Sequence, residues 1–357
     1  MKYLLFYEDR KIEWKKKKKF MNATMSLEKI KHYPVMLNQV LSIISPQHGG
    51  TFIDCTFGGG GYSKAILKFP GTKVLALDRD KLTFRYAEIL VKKFPKRFNF
   101  YQEKFSNLNN LVDENLKPKA IIFDLGLSSF QLSDDKRGFS FNSNKYLNME
   151  MGINERSAYE VVNFLDKENL ANIIKILGEE KEGKIIANKI DKYRKNKPIK
   201  SSKELASIIN SAKKNYNNYK KNPATKTFQA IRIFVNKELT ELISGLIEAT
   251  KLLSDGGILL IVSFHSLEDK IIKNFLNLYS NLRKNPSRYL PIKQSKPTLF
   301  KLIDKKPIYP ETKEIKENNN SRSAKLRYAI RNNNSFYYPN EFKNKFINYF
   351  KMENLAT

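Results

Sequence analysis

Residues 51–67 read TFIDCTFGGGGYSKAIL, an apolar run that closes on an acid, then four consecutive glycines, then the beginnings of a helix. Few arrangements satisfy that order. Glycine lets the backbone turn sharply and approach a ligand closely, and a helix starting just afterwards aims free N–H groups and the positive end of its dipole at that ligand. The stretch predicts strand, cofactor loop and helix, although glycine-rich turns also serve as plain connections. Residues 73–77 (KVLAL) supply the next apolar strand, which ends at Asp78, 20 residues beyond Gly58. A carboxylate at the end of a second strand is well placed to accept hydrogen bonds from two ribose hydroxyls.

The rest of the chain continues the alternation. A helix over 37–44, a strand to Asp54, a helix from Ser63, a strand to Asp78, a helix from Lys81 and strands near 99–102 and 119–124 make a βαβ rhythm and predict a mostly parallel sheet. The rhythm stops after Gln131, and residues up to about 222 read as Lys-, Asn- and Glu-rich helices, an inserted all-helical domain. One long helix over 223–253 follows, with Asn222 as its cap and Pro223 in its first turn. Asp255-Gly256-Gly257 ends it, ILLIVSF makes a buried strand, and residues 325–330 alternate as a half-exposed last strand. The expected division is a basic extension over 1–25, a core in two parts over 26–134 and 223–335, the insert over 135–222 and a tail over 336–357.

The formal charge of +29 exceeds what solubility needs and points to a polyanionic partner, most simply nucleic acid, although a general bias toward lysine would raise it too. Lys15 to Lys19 form a basic run ahead of Met21 and Met25, which fits a phosphate-touching arm, a solvated tail, or a start of translation further along. No apolar stretch approaches the roughly 18 to 20 residues of a membrane span and no signal-peptide pattern opens the chain, so a cytoplasmic, membrane-free protein is expected. One cysteine, Cys55, excludes an internal disulfide framework and reads as a small core residue. With only three histidines, no metal-ligand spacing is visible and no metal is expected.

Ligands of such sheets bind beyond the carboxyl ends of the strands. Four ends carry distinctive residues, Asp54, Asp78, Asp124 in IIFDLGLSSFQL and His265 in VSFHSLED, and these are expected to converge. Asp124 and Ser128 could offer acceptors to an amine and Phe130 a face for a planar base. Equally, the serines could cap the next element and Phe130 pack in the core. Gln131 is a ligand contact or a surface amide. Ser266 with Asp269 resembles a capping box, which leaves His265 for positioning. On the helix from Pro223, Phe228, Ile231, Val235, Leu239 and Leu242 make a buried stripe, while Thr225, Gln229, Arg232 and Asn236 make a polar one. That polar stripe is either solvated or lines a cleft and meets phosphates or a base.

In order and spacing, HYPVMLNQV from His32, IDCTFGGGGYS, LALDRD, FDLGLSSFQL, RGFSF, GEEKEGKIIA, NPATKTFQAIRIFVNKEL, SFHSLED and SRSAKLR resemble the RsmH/MraW family of bacterial ribosomal RNA methyltransferases. The resemblance spans about residues 32–330. It implies a class I S-adenosylmethionine-dependent methyltransferase sheet, Rossmann-like, with an inserted helical domain that recognises substrate. It implies methyl transfer from S-adenosyl-L-methionine to N4 of a cytidine in the decoding centre of 16S ribosomal RNA in the small subunit. By position it assigns the cofactor to Gly60, Gly61, Tyr62, Asp78, Phe105, Asp124 and Gln131. Our candidates for the chemistry are Asp124 and Ser128, and for substrate contact Phe130, Arg232 and His265. Three departures stand out. Tyr62 replaces the family's usual histidine, Phe130 a common proline, and LNMEMG leaves Asn148, Glu150 and Gly152 without the usual side chains. The rival readings are a methyltransferase of DNA or another RNA, a non-catalytic RNA-binding assembly factor and a nicotinamide dehydrogenase.

Overall fold

The computed structural model describes residues 34–113, 115–213, 222–280 and 297–356. The extension over 1–25 with its lysine run, and the His32 that opens the family-like stretch, lie outside the described residues.

Seven strands form one sheet in the order β3-β2-β1-β4-β5-β7-β6. They are β1 (Gly50–Asp54), β2 (Thr72–Leu77), β3 (Phe98–Tyr101), β4 (Ala120–Asp124), β5 (Ile258–Ser263), β6 (Phe300–Leu302) and β7 (Lys325–Arg331). The first five run parallel, and β7 lies antiparallel between β5 and β6. This is the mostly parallel, Rossmann-like sheet expected from the strand pattern.

Alternation along the strands builds two cores, because successive side chains face opposite ways. Ile53, Leu75, Ile121, Phe123, Leu259 and Ile261 are buried on one face, and Phe52, Val74, Ile122, Leu260 and Val262 on the other. The Leu37–Ile44, Gly61–Leu67 and Phe84–Lys93 helices cover the second face through Val40, Leu41, Ile66 and Leu90. The Glu238–Leu252 and Ser266–Tyr279 helices cover the first through Leu242, Leu246, Ile271 and Phe275. Burying each such side chain contributes about 1.5–3 kcal/mol.

Among the described residues, the stretch expected as the insert holds four α-helices, Ala158–Phe164, Lys167–Leu177, Gly183–Arg194 and Ser202–Ala212. The single helix expected over 223–253 is two, Thr225–Asn236 and Glu238–Leu252. Lys237 between them takes left-handed backbone (φ 51°), so the axis turns there. The first piece packs on the Lys167–Leu177 helix of the insert, and the second on the Phe105–Leu111 segment and the Ser266–Tyr279 helix, with Gly245 close to Phe123 of β4. Asn222 does not cap directly; its side chain accepts the Ala224 N–H, and the helix begins one residue later.

The stretch expected as a tail carries two helices. Its Asn340–Lys345 and Ile347–Glu353 helices bury Phe342, Phe346, Tyr349 and Met352, and Glu353, fully buried, accepts the N–H groups of Leu239 and Thr240. That carboxylate satisfies donors left free at the start of the Glu238–Leu252 helix. No described helix is long and apolar enough to cross a membrane.

Candidate active site

The carboxyl ends of β1, β2 and β4 open into one cleft of about 930 Å³, at the point where strand order reverses. Its floor is the loop after β1. Gly58 (φ 54°) and Gly60 (φ 76°) occupy left-handed backbone, and a Cβ on Gly60 would stand 2.8 Å from the Phe57 ring. Gly61 is glycine for another reason: a Cβ there would meet Pro34 at 2.3 Å. The segment ahead of the first described helix lies over the loop, held by the Tyr62 hydroxyl, which donates to the Val35 carbonyl.

The spacing of Gly58 and Asp78 is a direct bond. Gly58 N–H donates to Asp78 Oδ2 at 2.7 Å, and Asp80 N–H donates to Oδ1 at 2.8 Å. Enclosure pushes the Asp78 carboxyl up to about 7 against those two donors, and the charges of Asp80 and Asp54 add to the rise.

Asp124 stands across the floor at the end of β4, its N–H donating to Thr56 Oγ1 at 2.7 Å. Its Oδ1 is buried and makes no hydrogen bond among the described residues. Burial, then the charges of Asp54, Glu268 and Glu314, push this carboxyl well above the usual carboxylate range, with the neighbouring Tyr62 hydroxyl opposing them. Burying a polar atom without a partner is costly, so this one marks a place for a ligand donor.

The expected convergence of four strand ends is corrected. Asp78 and Asp124 line the cleft; Asp54 and His265 do not. Asp54 is fully buried behind the loop, where it accepts the Ser63 hydroxyl at 2.7 Å and the Thr56 N–H at 3.3 Å, and burial raises its carboxyl to about 6. It fastens the glycine loop to the helix that follows.

Ser128, Phe130 and Gln131 all border the cleft. Ser128 and Gln131 form a capping box: Ser128 Oγ accepts the Gln131 N–H at 3.4 Å, and Gln131 Oε1 accepts the Ser128 N–H at 2.9 Å. Gln131 is no surface amide. It is buried, and its Nε2 donates at 2.8 Å to Asp80 Oδ2, which also pairs with Arg137 at 2.8 Å. Phe130 is half-buried beside Tyr86, ring centroids 5.7 Å apart. Phe105 lines the far side, edge-on to Phe123. Its turn is held by Glu241, which accepts the Ser106 N–H at 3.0 Å, and Gly245 makes room for the ring, since a Cβ there would come within 2.4 Å of it.

Arg232 and His265 stand one layer back. Arg232 pairs with both Glu238 oxygens, Nε to Oε1 at 2.7 Å and Nη2 to Oε2 at 2.8 Å, so in this conformation it braces a carboxylate. Burial works against its charge, but Glu238 raises its proton affinity. Asn236, from the same polar stripe, is buried and ties the Met149 carbonyl and Met151 N–H to this helix. His265 replaces Ser266 as the cap: its Nδ1 accepts the Glu268 N–H at 3.4 Å, and Glu268, not Asp269, completes the box. Asp269 instead binds Arg327 at 2.7 Å and Lys325 at 3.1 Å on β7.

Sequence reasoning missed Glu238, Glu241 and Glu268, which line the cleft. Glu268 was signalled by its place three residues after the strand-end histidine; the other two give no local sign. Folding brings donor atoms of Glu238, His265 and Glu268 within 4.8 Å of one another, a set that linear spacing hid. Both Glu238 oxygens are engaged by Arg232. Burial pushes Glu268 up, but His265 and the Phe264 N–H hold it below the usual range. The departures in LNMEMG are structural: Asn148 and Glu150 bond each other at 3.1 Å. Gly152 is pressed on the Arg79 backbone, 2.2 Å from where its Cβ would be.

The cleft meets the demands of S-adenosylmethionine: a carboxylate pinned beside a glycine loop suits the ribose, and the glycines let the backbone approach it closely. The model of the MraW methylase family matches residues 29–332. Among curated relatives, the ribosomal RNA small subunit methyltransferase H of Ehrlichia chaffeensis is 44% identical over 304 residues, 84% of this chain and 99% of that protein. Its counterpart from Ehrlichia canis is 45% identical over the same shares, and that of Afipia carboxidovorans is 40% identical over 87% of this chain and 93% of its own. Matched by that family model over most of its length and by these relatives at 40–45% identity, the chain belongs to the MraW methylase family.

Proposed function

We propose that this protein methylates N4 of a cytidine in the decoding centre of 16S ribosomal RNA. Family membership makes it a methyltransferase of small-subunit ribosomal RNA that uses S-adenosylmethionine. The observation that carries the finer reading is the buried, unpaired Asp124 Oδ1 at the end of β4, opposite the glycine loop.

The exocyclic amine of cytidine is a poor nucleophile, because its lone pair is delocalised into the ring. When bound, S-adenosylmethionine supplies a methyl group on a sulfonium, whose departure leaves a neutral thioether. The protein's part is alignment and proton handling. Asp78 and the Gly58–Tyr62 loop hold the cofactor. Phe105 packs at the far side of the cofactor pocket. Asp124 Oδ1 accepts an N–H donor, and a carboxyl whose proton affinity burial has raised is suited to take the proton the amine sheds. Ser128 contributes through its position at the start of its helix, with Phe130 offering a face to the base.

The test is incubation with methyl-labelled cofactor and small ribosomal subunits, followed by nuclease digestion and mass spectrometry of the nucleosides. N4-methylcytidine at a single decoding-centre position is the expected result. Label in another nucleoside, or none, overturns the reading.

A further inference from the structure

The walls of the cleft differ in charge. On one wall, from the Glu238–Leu252 and Ser266–Tyr279 helices, the acids Glu238, Glu241 and Glu268 have cations close by, Arg232 on Glu238, Arg79 and Lys104 near Glu241 and His265 on Glu268. The other, from the Gly61–Leu67 and Phe84–Lys93 helices, presents Lys64, Lys68, Arg85 and Lys93. None of these four cations has a carboxylate partner among the described residues; Arg85 lies over the Tyr86 ring at 4.7 Å and Lys93 over Phe94 at 5.8 Å. Arg85, Ile89 and Lys93 recur every fourth residue, so they form one stripe about 12 Å long on the cleft side of their helix. Ile89 is 61% exposed within it, an apolar face between two cations. Phe130 stands at the inner end, next to Tyr86.

We propose that the RNA strand reaches the active site along this rim, phosphates on Lys64, Lys68, Arg85 and Lys93, with a nucleotide flanking the target against Ile89 and Phe130. The proposal rests on the ribosomal RNA reading above and assigns the strand's path within it. A polyanion is drawn to the cations of the rim, which have no carboxylate to neutralise them, and this orients the strand without base-specific contacts. Single-stranded RNA is bound by such pairing of cations with apolar or aromatic faces. Arg232, committed to Glu238, plays no part in this path.

The experiment compares the wild-type chain with Lys68→Glu/Lys93→Glu, and with Lys184→Glu/Lys192→Glu on the exposed face of the insert. Each is assayed for cofactor affinity by calorimetry, for methyl transfer to small ribosomal subunits, and for subunit binding across a salt series. Each phosphate contact contributes about 0.7 to the slope of log affinity against log salt for a single strand. The rim variant is expected to raise KM for the subunit by about tenfold or more and flatten that slope by about 1.4, with cofactor affinity unchanged. A rim variant with wild-type slope and KM overturns the proposal, as does a larger loss of slope in the insert variant. If the wild-type protein transfers no methyl to the subunit, the functional reading itself has failed, which separates the two failures.

Discussion

Asp78 gives the sharpest test of the site, because its cost to the fold and its use to the cofactor have opposite signs. Its carboxyl titrates near 7 in the folded protein against an ordinary 3.8. Between those values the unfolded chain has released its proton and the folded chain retains it, so stability falls as pH rises from about 4 to about 7 and is flat beyond. A shift of about 3 units amounts to at most about 4 kcal/mol of destabilisation at pH 8, and about 1.6 kcal/mol at pH 5. Asp78→Asn removes that pH-dependent cost. It also turns an amide NH₂ toward either the Gly58 or the Asp80 N–H, at a cost of about 1–3 kcal/mol. The variant should therefore melt near or below the wild type at pH 5 and above it at pH 8. Cofactor binding moves the other way: losing one charge-assisted ribose bond, about 2 kcal/mol, weakens affinity about 30-fold. Thermal denaturation at both pH values, with calorimetry of S-adenosylmethionine, reads both effects. A melting difference that does not change with pH refutes the buried-carboxylate reasoning, and unchanged affinity removes Asp78 from the cofactor site.

Two further outcomes follow from the wall behind the cleft. Arg232→Ala strands the Glu238 carboxylate, whose side chain is 9% exposed, at a cost of about 3 kcal/mol, and should lower cofactor affinity and methyl transfer together. Loss of transfer with normal cofactor affinity would instead restore Arg232 as an RNA contact. Removing residues 336–357 takes away Phe342, Phe346, Tyr349 and the Glu353 cap, and should lower the melting temperature by several degrees or leave the protein insoluble; a soluble truncation melting with the full chain would show the segment to be dispensable.

Strand ends and helix faces were legible because they are local. The glycine loop, Asp78 and Asp124 lie where apolar runs stop, and the helix over 37–44 and the strand to Asp54 are found as expected. The break at Lys237 was not legible, since Phe228, Ile231, Val235, Leu239 and Leu242 keep helical spacing straight through a residue whose backbone turns left-handed. β6 has three residues, too few for alternation to register. Whether an acid at a strand end faces the ligand or the loop behind it depends on tertiary partners, which is why Asp54 and His265 were placed in the cleft although they brace it. Glu238 and Glu268 are 30 residues apart in the chain, and nothing in either segment announces the other.

The position of β5 bears on how the protein is made. It lies inside the sheet, next to the central β4 and before β7, yet it follows β4 by more than 130 residues of insert and connecting helices. At about 5–20 residues per second, the edge of β4 stays unpaired for roughly 7 to 27 seconds after it leaves the ribosome. That edge is AIIFD, apolar on both faces, and unpaired edges of this kind recruit other strands. Half of the sheet waits on the second half, while the insert can fold in the interval. A nascent chain stalled within the insert should therefore be the aggregation-prone species, and chaperone dependence should peak there.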